Sequence, residues 1–357
     1  MKKEKRSKLL KLMEQHQLDG VFIHSHENLR YLTGFTGSNG VYYFDGQDDY
    51  LWTDQRYTLQ ANEQSPFCKI EVADKAMNHF FSLKLPERLR GRIGFESDLM
   101  TVSHYKLFSS FVPDIEWIPL GAKLLEIRAV KSSEELAIIK QAVQIADDAF
   151  DELLPMIQIG MTEMDVRNEL EYLMLKGGHE GPAFGTIVAF GERAALPHAV
   201  PTNRKLQRDE FLLIDFGVNF NGYMSDMTRT IAIGEVDSYS ANVFNLTLQA
   251  LEKSIAAIKP GIESHQLDQV ARNVFEESDM EEYSLRGLGH GVGLQIHELP
   301  RIVQFGSDIV APGMVFTVEP GLYIPNRVGV RIEDLIHVTE EGCDVLTDTP
   351  RKISLSL

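Results

Sequence analysis

Phe211-Leu-Leu-Ile-Asp-Phe-Gly-Val-Asn-Phe-Asn-Gly-Tyr-Met-Ser-Asp-Met-Thr-Arg-Thr230 is the stretch that decides how this chain reads. Its opening apolar run predicts a buried strand. Asn221-Gly222 is a two-residue hairpin signal, and the second arm alternates toward Ile233. With that turn, Asp215 faces Thr228 and lies diagonal to Asp226 on the same face, roughly 7–8 Å away between Cα atoms. Two carboxylates in an apolar strand pair repel, and neither has a Lys or Arg beside it in sequence to pair with. Arg229 points to the other face. Buried anions need a counter-charge, and hard oxygen ligands suit divalent cations. On this stretch alone, a metal site and a half-exposed polar hairpin are both open.

The chain around it looks duplicated. Ile157-Gln-Ile-Gly-Met161 precedes a helix starting at Thr162, and Ile258-Lys-Pro-Gly-Ile262 precedes one starting near Ser264. Asp215-Phe-Gly217 recurs as Glu319-Pro-Gly321, about one hundred residues on. The apolar strands Phe211-Leu-Leu-Ile and Val315-Phe-Thr-Val come before them. A second carboxylate follows each across a turn, Asp226 in the first copy and Glu333 in the second. A turn around Pro325-Asn-Arg327 sets Glu319 directly opposite Glu333. The pattern predicts a pseudo-symmetric fold with four carboxylates converging at its centre. Two acidic hairpins of this kind are hard to explain as solvated faces, so the duplication favours the metal site.

Between the hairpins lies Leu285-Arg-Gly-Leu-Gly-His-Gly-Val-Gly-Leu-Gln-Ile-His-Glu-Leu-Pro300. Glycines around His290 let a ligand or substrate backbone come close. The run lacks the spacing of a dinucleotide fingerprint, and a His-Glu-x-x-His zinc pattern fails at Arg301. One histidine among carboxylates fits a metal ligand, and His290 is the expected one. His297, and His198 about a hundred residues before it, are better placed to hydrogen-bond substrate. His104, His179, His265 and His337 read as background, as do His24 and His26.

The first third alternates between helix and strand. A surface helix covers Lys3 to Gln17. Strands are expected at Asp19–Ser25, Gly40–Phe44, Tyr50–Thr53, Lys69–Val72 and Arg92–Phe95, and Asn28–Gly37 ends in two glycines, as a loop does. This is an α/β domain of about 120 residues. Ser132 and Glu135 form a capping box that starts an amphipathic helix through Leu136, Ile139, Val143, Ala146 and Phe150. The expected domains are therefore residues 1–126 and 127–357.

The 357 residues carry 35 Lys and Arg against 52 Asp and Glu, a net charge of −17. That argues against a nucleic-acid binder, which needs a basic stripe to meet phosphates. No window approaches the roughly 18 uninterrupted apolar residues of a membrane helix, so no membrane partner is expected. The basic N-terminus is too polar for a signal peptide. Cys68 and Cys343 have no metal-type spacing and read as reduced thiols, which points to a cytoplasmic protein.

Taken together, these motifs resemble the pita-bread metallopeptidases, and within them the Xaa-Pro peptidases: prolidase (Xaa-Pro dipeptidase) and aminopeptidase P. The resemblance spans nearly the whole chain. It rests on Asn28–Gly37, Ala194-Ala-Leu-Pro-His198, Ser225-Asp-Met-Thr-Arg-Thr230, Gly289-His-Gly-Val-Gly-Leu294, Ile296-His-Glu-Leu-Pro300, Phe316-Thr-Val-Glu-Pro-Gly-Leu-Tyr323 and Val330-Arg-Ile-Glu-Asp334. It implies an α+β protein: a pita-bread catalytic domain with an internal pseudo-two-fold repeat, preceded by a smaller α/β creatinase-like domain. It also implies two divalent metal ions per subunit, with Mn²⁺ favoured over Co²⁺ or Zn²⁺. Asp215 would bind one metal, Asp226 and Glu333 would bridge both, and His290 and Glu319 would bind the other. His198 and His297 match histidines of substrate binding and proton transfer, and Arg331 an arginine beside the last ligand.

The implied reaction is hydrolysis of an Xaa-Pro bond in short proline-containing peptides by a hydroxide bridging two metals. Glu319 passes the proton to the leaving nitrogen, and His198 or His297 helps hold the oxyanion. A homodimer is implied, with one subunit's first domain capping its neighbour's site. Prolidase is favoured by the short two-domain chain, and aminopeptidase P stays open. Methionine aminopeptidase, which shares the five ligands, and a non-catalytic binding module on the same fold are the rivals.

Overall fold

The computed structural model describes residues 3–357. The chain forms two compact units, the first ending at Arg128 and the second running from Ala129 to Leu357. Among the described residues, no helix is long and apolar enough to cross a membrane. Cys68 and Cys343 are both free.

The first unit is a six-stranded mixed sheet with helices. Its strands are β1 Gly20–Ile23, β2 Gly40–Phe44, β3 Asp49–Asp54, β4 Lys69–Ala73, β5 Arg92–Phe95 and β6 Glu116–Pro119, in the order β4-β3-β2-β1-β5-β6. Its helices are α1 Lys3–His16, α2 His26–Thr33, α3 Thr58–Gln64, α4 Met77–Arg88, α5 Val102–Phe111 and α6 Lys123–Ala129. The five expected strands are present. β6 was not anticipated: it is a short edge strand with no buried residue to give it an apolar signature. The Asn28–Gly37 stretch is also corrected, because most of it is helix. Ser25 caps α2 by accepting from the Asn28 amide, and Gly34 ends it in the left-handed conformation at φ 81°. The glycine read as a loop residue is a helix stop. Glu96, buried beside β5, accepts from the His24 and Ser25 amides and from Asn28 Nδ2, which ties α2 to the sheet.

The second unit contains the duplication. In its first half, α7 Ser133–Leu153 and α8 Glu163–Lys176 pack on a four-stranded sheet. That sheet comprises β8 Ile187–Phe190, β9 Glu210–Phe216, β12 Met227–Ile233 and β20 Ile353–Leu355; the strand β7 Gly181–Pro182 pairs instead with β10 Val218–Phe220, which also pairs with β11 Tyr223–Met224. In its second half, α9 Ser238–Ala257 and α10 Ser264–Glu276 pack on a five-stranded sheet. Its strands are β13 Gly289–Gly291, β14 Glu298–Ile302, β15 Val315–Val318, β18 Asp334–Val338 and β19 Cys343–Val345, while β16 Gly321–Ile324 and β17 Val328–Arg331 form a separate ribbon. Each half buries its own apolar core. The expected capping box at Ser132 and Glu135 is formed, and Thr162 and Asp165 form another at the start of α8. Phe150 of α7 stacks on Phe216 of β9, centroids 5.4 Å apart.

Both hairpins take the expected register. Asp215 on β9 pairs with Thr228 on β12. The ladder breaks at Gly217 and resumes in the same register through β10 and β11. It closes at Asn221 and Gly222, both with positive φ, 46° and 74°, as a tight twisted hairpin turn requires. In the second hairpin Val318 pairs with Asp334 and Gly321 with Arg331. The common register on the two sides sets Glu319 opposite Glu333. The hairpins join where the Glu333 amide donates to Thr228 O at 3.1 Å and Thr230 Oγ1 donates to Arg331 O at 2.8 Å.

The segment after β19 fastens this junction. Arg229, fully buried, donates to Thr349 O at 2.7 Å and to Asp334 Oδ1 at 2.8 Å, and also reaches the carbonyl of Glu333. Asp147 of α7 accepts from Thr349 Oγ1 at 2.6 Å and from the Asp348 and Thr349 amides. β20 then pairs in parallel with β12.

Candidate active site

Strand alternation directs the acidic side chains of both hairpins into one space. Asp215, Asp226 and Glu333 each offer an oxygen, and the three lie within 4.8 Å of one another; this is the only such donor group among the described residues. All three side chains are buried. His290 Nε2 lies 3.5 Å from Asp226 Oδ2 and 3.3 Å from Glu319 Oε1. The five residues expected as ligands are thus brought together by β9, by the breaks between strands at Asp226, Glu319 and Glu333, and by the glycine-flanked strand β13.

Surrounding groups hold these side chains. Arg331 Nη2 donates to Asp215 Oδ2 at 2.5 Å, and Nη1 donates to Tyr323 Oη at 2.7 Å and Pro197 O at 3.2 Å. Thr228 Oγ1 donates to Glu333 Oε2 at 2.6 Å and accepts from Arg331 Nε at 3.1 Å. Thr317 Oγ1 donates to Glu319 Oε1 and accepts from the His290 amide, both at 3.0 Å. His290 Nδ1 faces Gly291 O at 3.2 Å, so a proton there leaves Nε2 with its lone pair toward the carboxylates. This geometry amends the sequence argument. The acidic cluster does have a protein counter-charge, Arg331, which is far from Asp215 in sequence and beside it in space.

One guanidinium does not neutralise four carboxylates. Burial, and then the charges of Asp215 and Glu319, hold Asp226 well above the usual carboxylate range. Burial and then Asp226 do the same to Glu333. Burial pushes Glu319 up to about 7, with Arg331 opposing and Asp215 adding. His290 and His297 are both lowered, mainly by burial. Asp215 Oδ1 and Glu333 Oε1 are buried with no protein partner, and such orphans call for an explanation. Four carboxylates with two bare oxygens and one imidazole make a donor set that fits divalent cations.

The cluster opens into a cleft of about 820 Å³ whose walls include His198, Val200, Ile296, His297 and Arg301. That is within the range of small-ligand sites. The His297 ring packs edge-on against His290, centroids 4.3 Å apart. Glu298, the next residue, forms a buried ion pair with Lys131 at 3.0 Å. Sequence reading placed Thr228 opposite Asp215 but gave it no role, and it did not single out Thr317, Tyr323 or the Lys131–Glu298 pair. Thr317 left a signal too, two residues before Glu319 and so on the same strand face. His24 packs against His104, centroids 4.7 Å apart, within the first unit.

Fold and site together define a metal-dependent hydrolase. Residues 137–340 match the model of metallopeptidase family M24, and residues 5–130 match the creatinase/prolidase N-terminal domain. The chain belongs to metallopeptidase family M24, and its second unit carries the pita-bread fold. It is 37% identical over 356 residues to the Xaa-Pro dipeptidase of Pyrococcus furiosus, covering 98% of this chain and 99% of that one. The solved Xaa-Pro dipeptidase of Bacillus anthracis is 36% identical and superimposes with a TM-score of 0.95 over 99% of each chain. An X-Pro aminopeptidase from Thermotoga maritima is 33% identical, with a TM-score of 0.90 over 98% of this chain and 99% of that one. The expected recognition, fold class and peptidase activity hold. The rival of a non-catalytic module gives way, because the chain belongs to a metallopeptidase family and resembles Xaa-Pro dipeptidases over nearly its whole length.

Proposed function

We propose that this protein is an Xaa-Pro dipeptidase that hydrolyses the bond before proline in short peptides, with two divalent cations per subunit. The observation that carries the reading is the pair of bare, buried oxygens on Asp215 and Glu333, set among side chains of the kind that binds divalent ions. Asp215, Asp226, His290, Glu319 and Glu333 would hold them. An oxygen-rich shell with one imidazole favours Mn²⁺, with Co²⁺ or Zn²⁺ as the alternatives. When bound, the cations supply Lewis acidity and acidify water near neutral pH.

The protein's own groups do the rest. Glu319 accepts the proton of the attacking water and passes it to the leaving proline nitrogen. His297 or His198 donates to the carbonyl oxygen as charge develops on it. Arg331 fixes Asp215 from behind and takes no proton. Arg301 lies in the cleft and acts electrostatically on His297. It supplies a counter-charge for the terminal carboxylate of a dipeptide, which favours dipeptidase over aminopeptidase P. The likeness to the Thermotoga aminopeptidase supports that second reading. We further propose a cytoplasmic homodimer, with residues 1–126 as the N-terminal domain of one subunit covering the neighbour's site and 127–357 as the catalytic domain.

The test is hydrolysis of Ala-Pro against Ala-Pro-Ala, in Mn²⁺ and in chelator. Metal-dependent cleavage of the dipeptide alone supports dipeptidase. Equal or better cleavage of the tripeptide makes the protein an aminopeptidase P, and cleavage of neither removes the Xaa-Pro reading.

A further inference from the structure

His198 is exposed at the cleft, and its ring has no hydrogen bond within the described residues. Its place therefore depends on the segment that carries it, residues 191–202. One side chain grips both ends of that segment. Glu163, the first residue of α8, is completely buried. Its Oε1 accepts from the Phe190 amide at 3.1 Å and from Arg193 Nε at 3.0 Å. Its Oε2 accepts from the Thr202 amide at 2.8 Å, Thr202 Oγ1 at 2.7 Å and Arg193 Nε at 3.1 Å. Phe190 precedes the segment, Arg193 lies in its first turn and Thr202 ends it. Arg193 Nη2 also donates to Val200 O at 2.8 Å, closing the segment on itself.

The backbone of α8 repeats the grip. The Met164 amide donates to Thr202 O at 3.2 Å and the Glu163 amide to Arg204 O at 3.1 Å. At the tip, Pro197 O accepts from Arg331, which also holds Asp215. The Cβ of an alanine at Gly329 would fall 1.8 Å from Ala194 O, so β17 presses directly on the segment. The His198 segment is a closed loop clamped at its base by one carboxylate and at its tip by the arginine of the acidic cluster.

We propose that Glu163 is a positioning residue for His198, setting where that ring meets the substrate; this rests on the reading that His198 contacts the scissile peptide. All five contacts need acceptors. The amide of Glu163→Gln turns one acceptor oxygen into a donor that faces N–H groups, so the loop base must open while the cluster of Asp215, Asp226 and Glu333 is left alone.

The experiment uses the full-length Mn²⁺-loaded protein with Ala-Pro as substrate. Glu163→Gln lowers kcat/KM by about tenfold to a hundredfold, the scale of a misplacement near 1 Å. In a His198→Ala background the same change costs less than about twofold, as expected when one residue acts through the other. Mn²⁺ affinity stays unchanged, and amide exchange speeds up across residues 190–202 but not in β9. Thr202→Val removes the hydroxyl that donates to Glu163 and accepts from the Arg204 amide and follows the same pattern at smaller size, which covers a Glu163→Gln protein that does not fold. An equal loss in both backgrounds, or unchanged exchange across the loop, overturns the proposal. Should the parent protein cleave no Xaa-Pro peptide, the functional reading falls, and amide exchange alone decides whether Glu163 orders the His198 loop.

Discussion

At the residue scale, the acidic groups were legible in the sequence and their support was not. An aspartate inside an apolar strand stands out against its neighbours, so Asp215, Asp226, Glu319 and Glu333 could be picked by pattern. Thr228 was read only as the residue opposite Asp215, and Arg331 only through the family resemblance, because what each holds depends on what the fold sets beside it. Thr228 Oγ1 sits between Glu333 and Arg331. We predict that Thr228→Val weakens Mn²⁺ binding by about 10- to 100-fold, the usual effect of losing a group that orients a ligand. Calorimetric titration of the metal-free protein measures this, and unchanged affinity would show that Glu333 needs no orienting. Lys131 belongs to the same class, hidden in sequence by its distance from Glu298. Lys131→Met takes the cation from a buried carboxylate and costs about 3–5 kcal/mol. Urea unfolding monitored by circular dichroism gives that number, and a loss under about 1 kcal/mol counts against the pair.

At the scale of elements, the two hairpins were readable to the residue. Asn221-Gly222 sets one register and Pro325–Arg327 the other, and each turn has only one pairing that puts every apolar side chain inward. The stretch from Asn28 was not read correctly, because Ser25 and Gly34 are equally good loop residues until the helix between them is seen. The break at Gly217 also escaped notice. There the second arm crosses so close that an added Cβ would fall 2.0 Å from Ser225 O. Gly217→Ala must therefore push the arms apart, at a cost of about 1–3 kcal/mol, and Asp226 moves with its arm. The expected result is a lower melting temperature together with weaker Mn²⁺ binding. Lower stability with full metal affinity would separate the break from the site.

At the scale of the whole molecule, the duplication was visible as repeated motifs, whereas the charge balance emerged only with the fold. Three acids of the cluster, Asp226, Glu319 and Glu333, sit where folding raises their proton affinity, Glu319 to about 7. At these three carboxyls the metal-free folded protein therefore holds protons that the unfolded chain has released, and the lowered His24, His290 and His297 oppose this only below about 6.5. From about 6.5 upward, stability falls as pH rises through the range in which the raised carboxyls ionise. We predict a melting temperature in chelator that is lower at pH 8 than at pH 6.5, with Mn²⁺ restoring more at pH 8. A flat or rising profile in chelator, by scanning calorimetry, would show that the acids do not repel one another.

The clasp of Arg229, Asp147 and Thr349 makes the frame separable from the centre it serves. Every proposed donor to the cluster precedes residue 334, but the groups that bolt the two hairpins together from outside lie between Thr347 and Leu355. A change at Thr349 therefore loosens the frame without touching a carboxylate of the cluster.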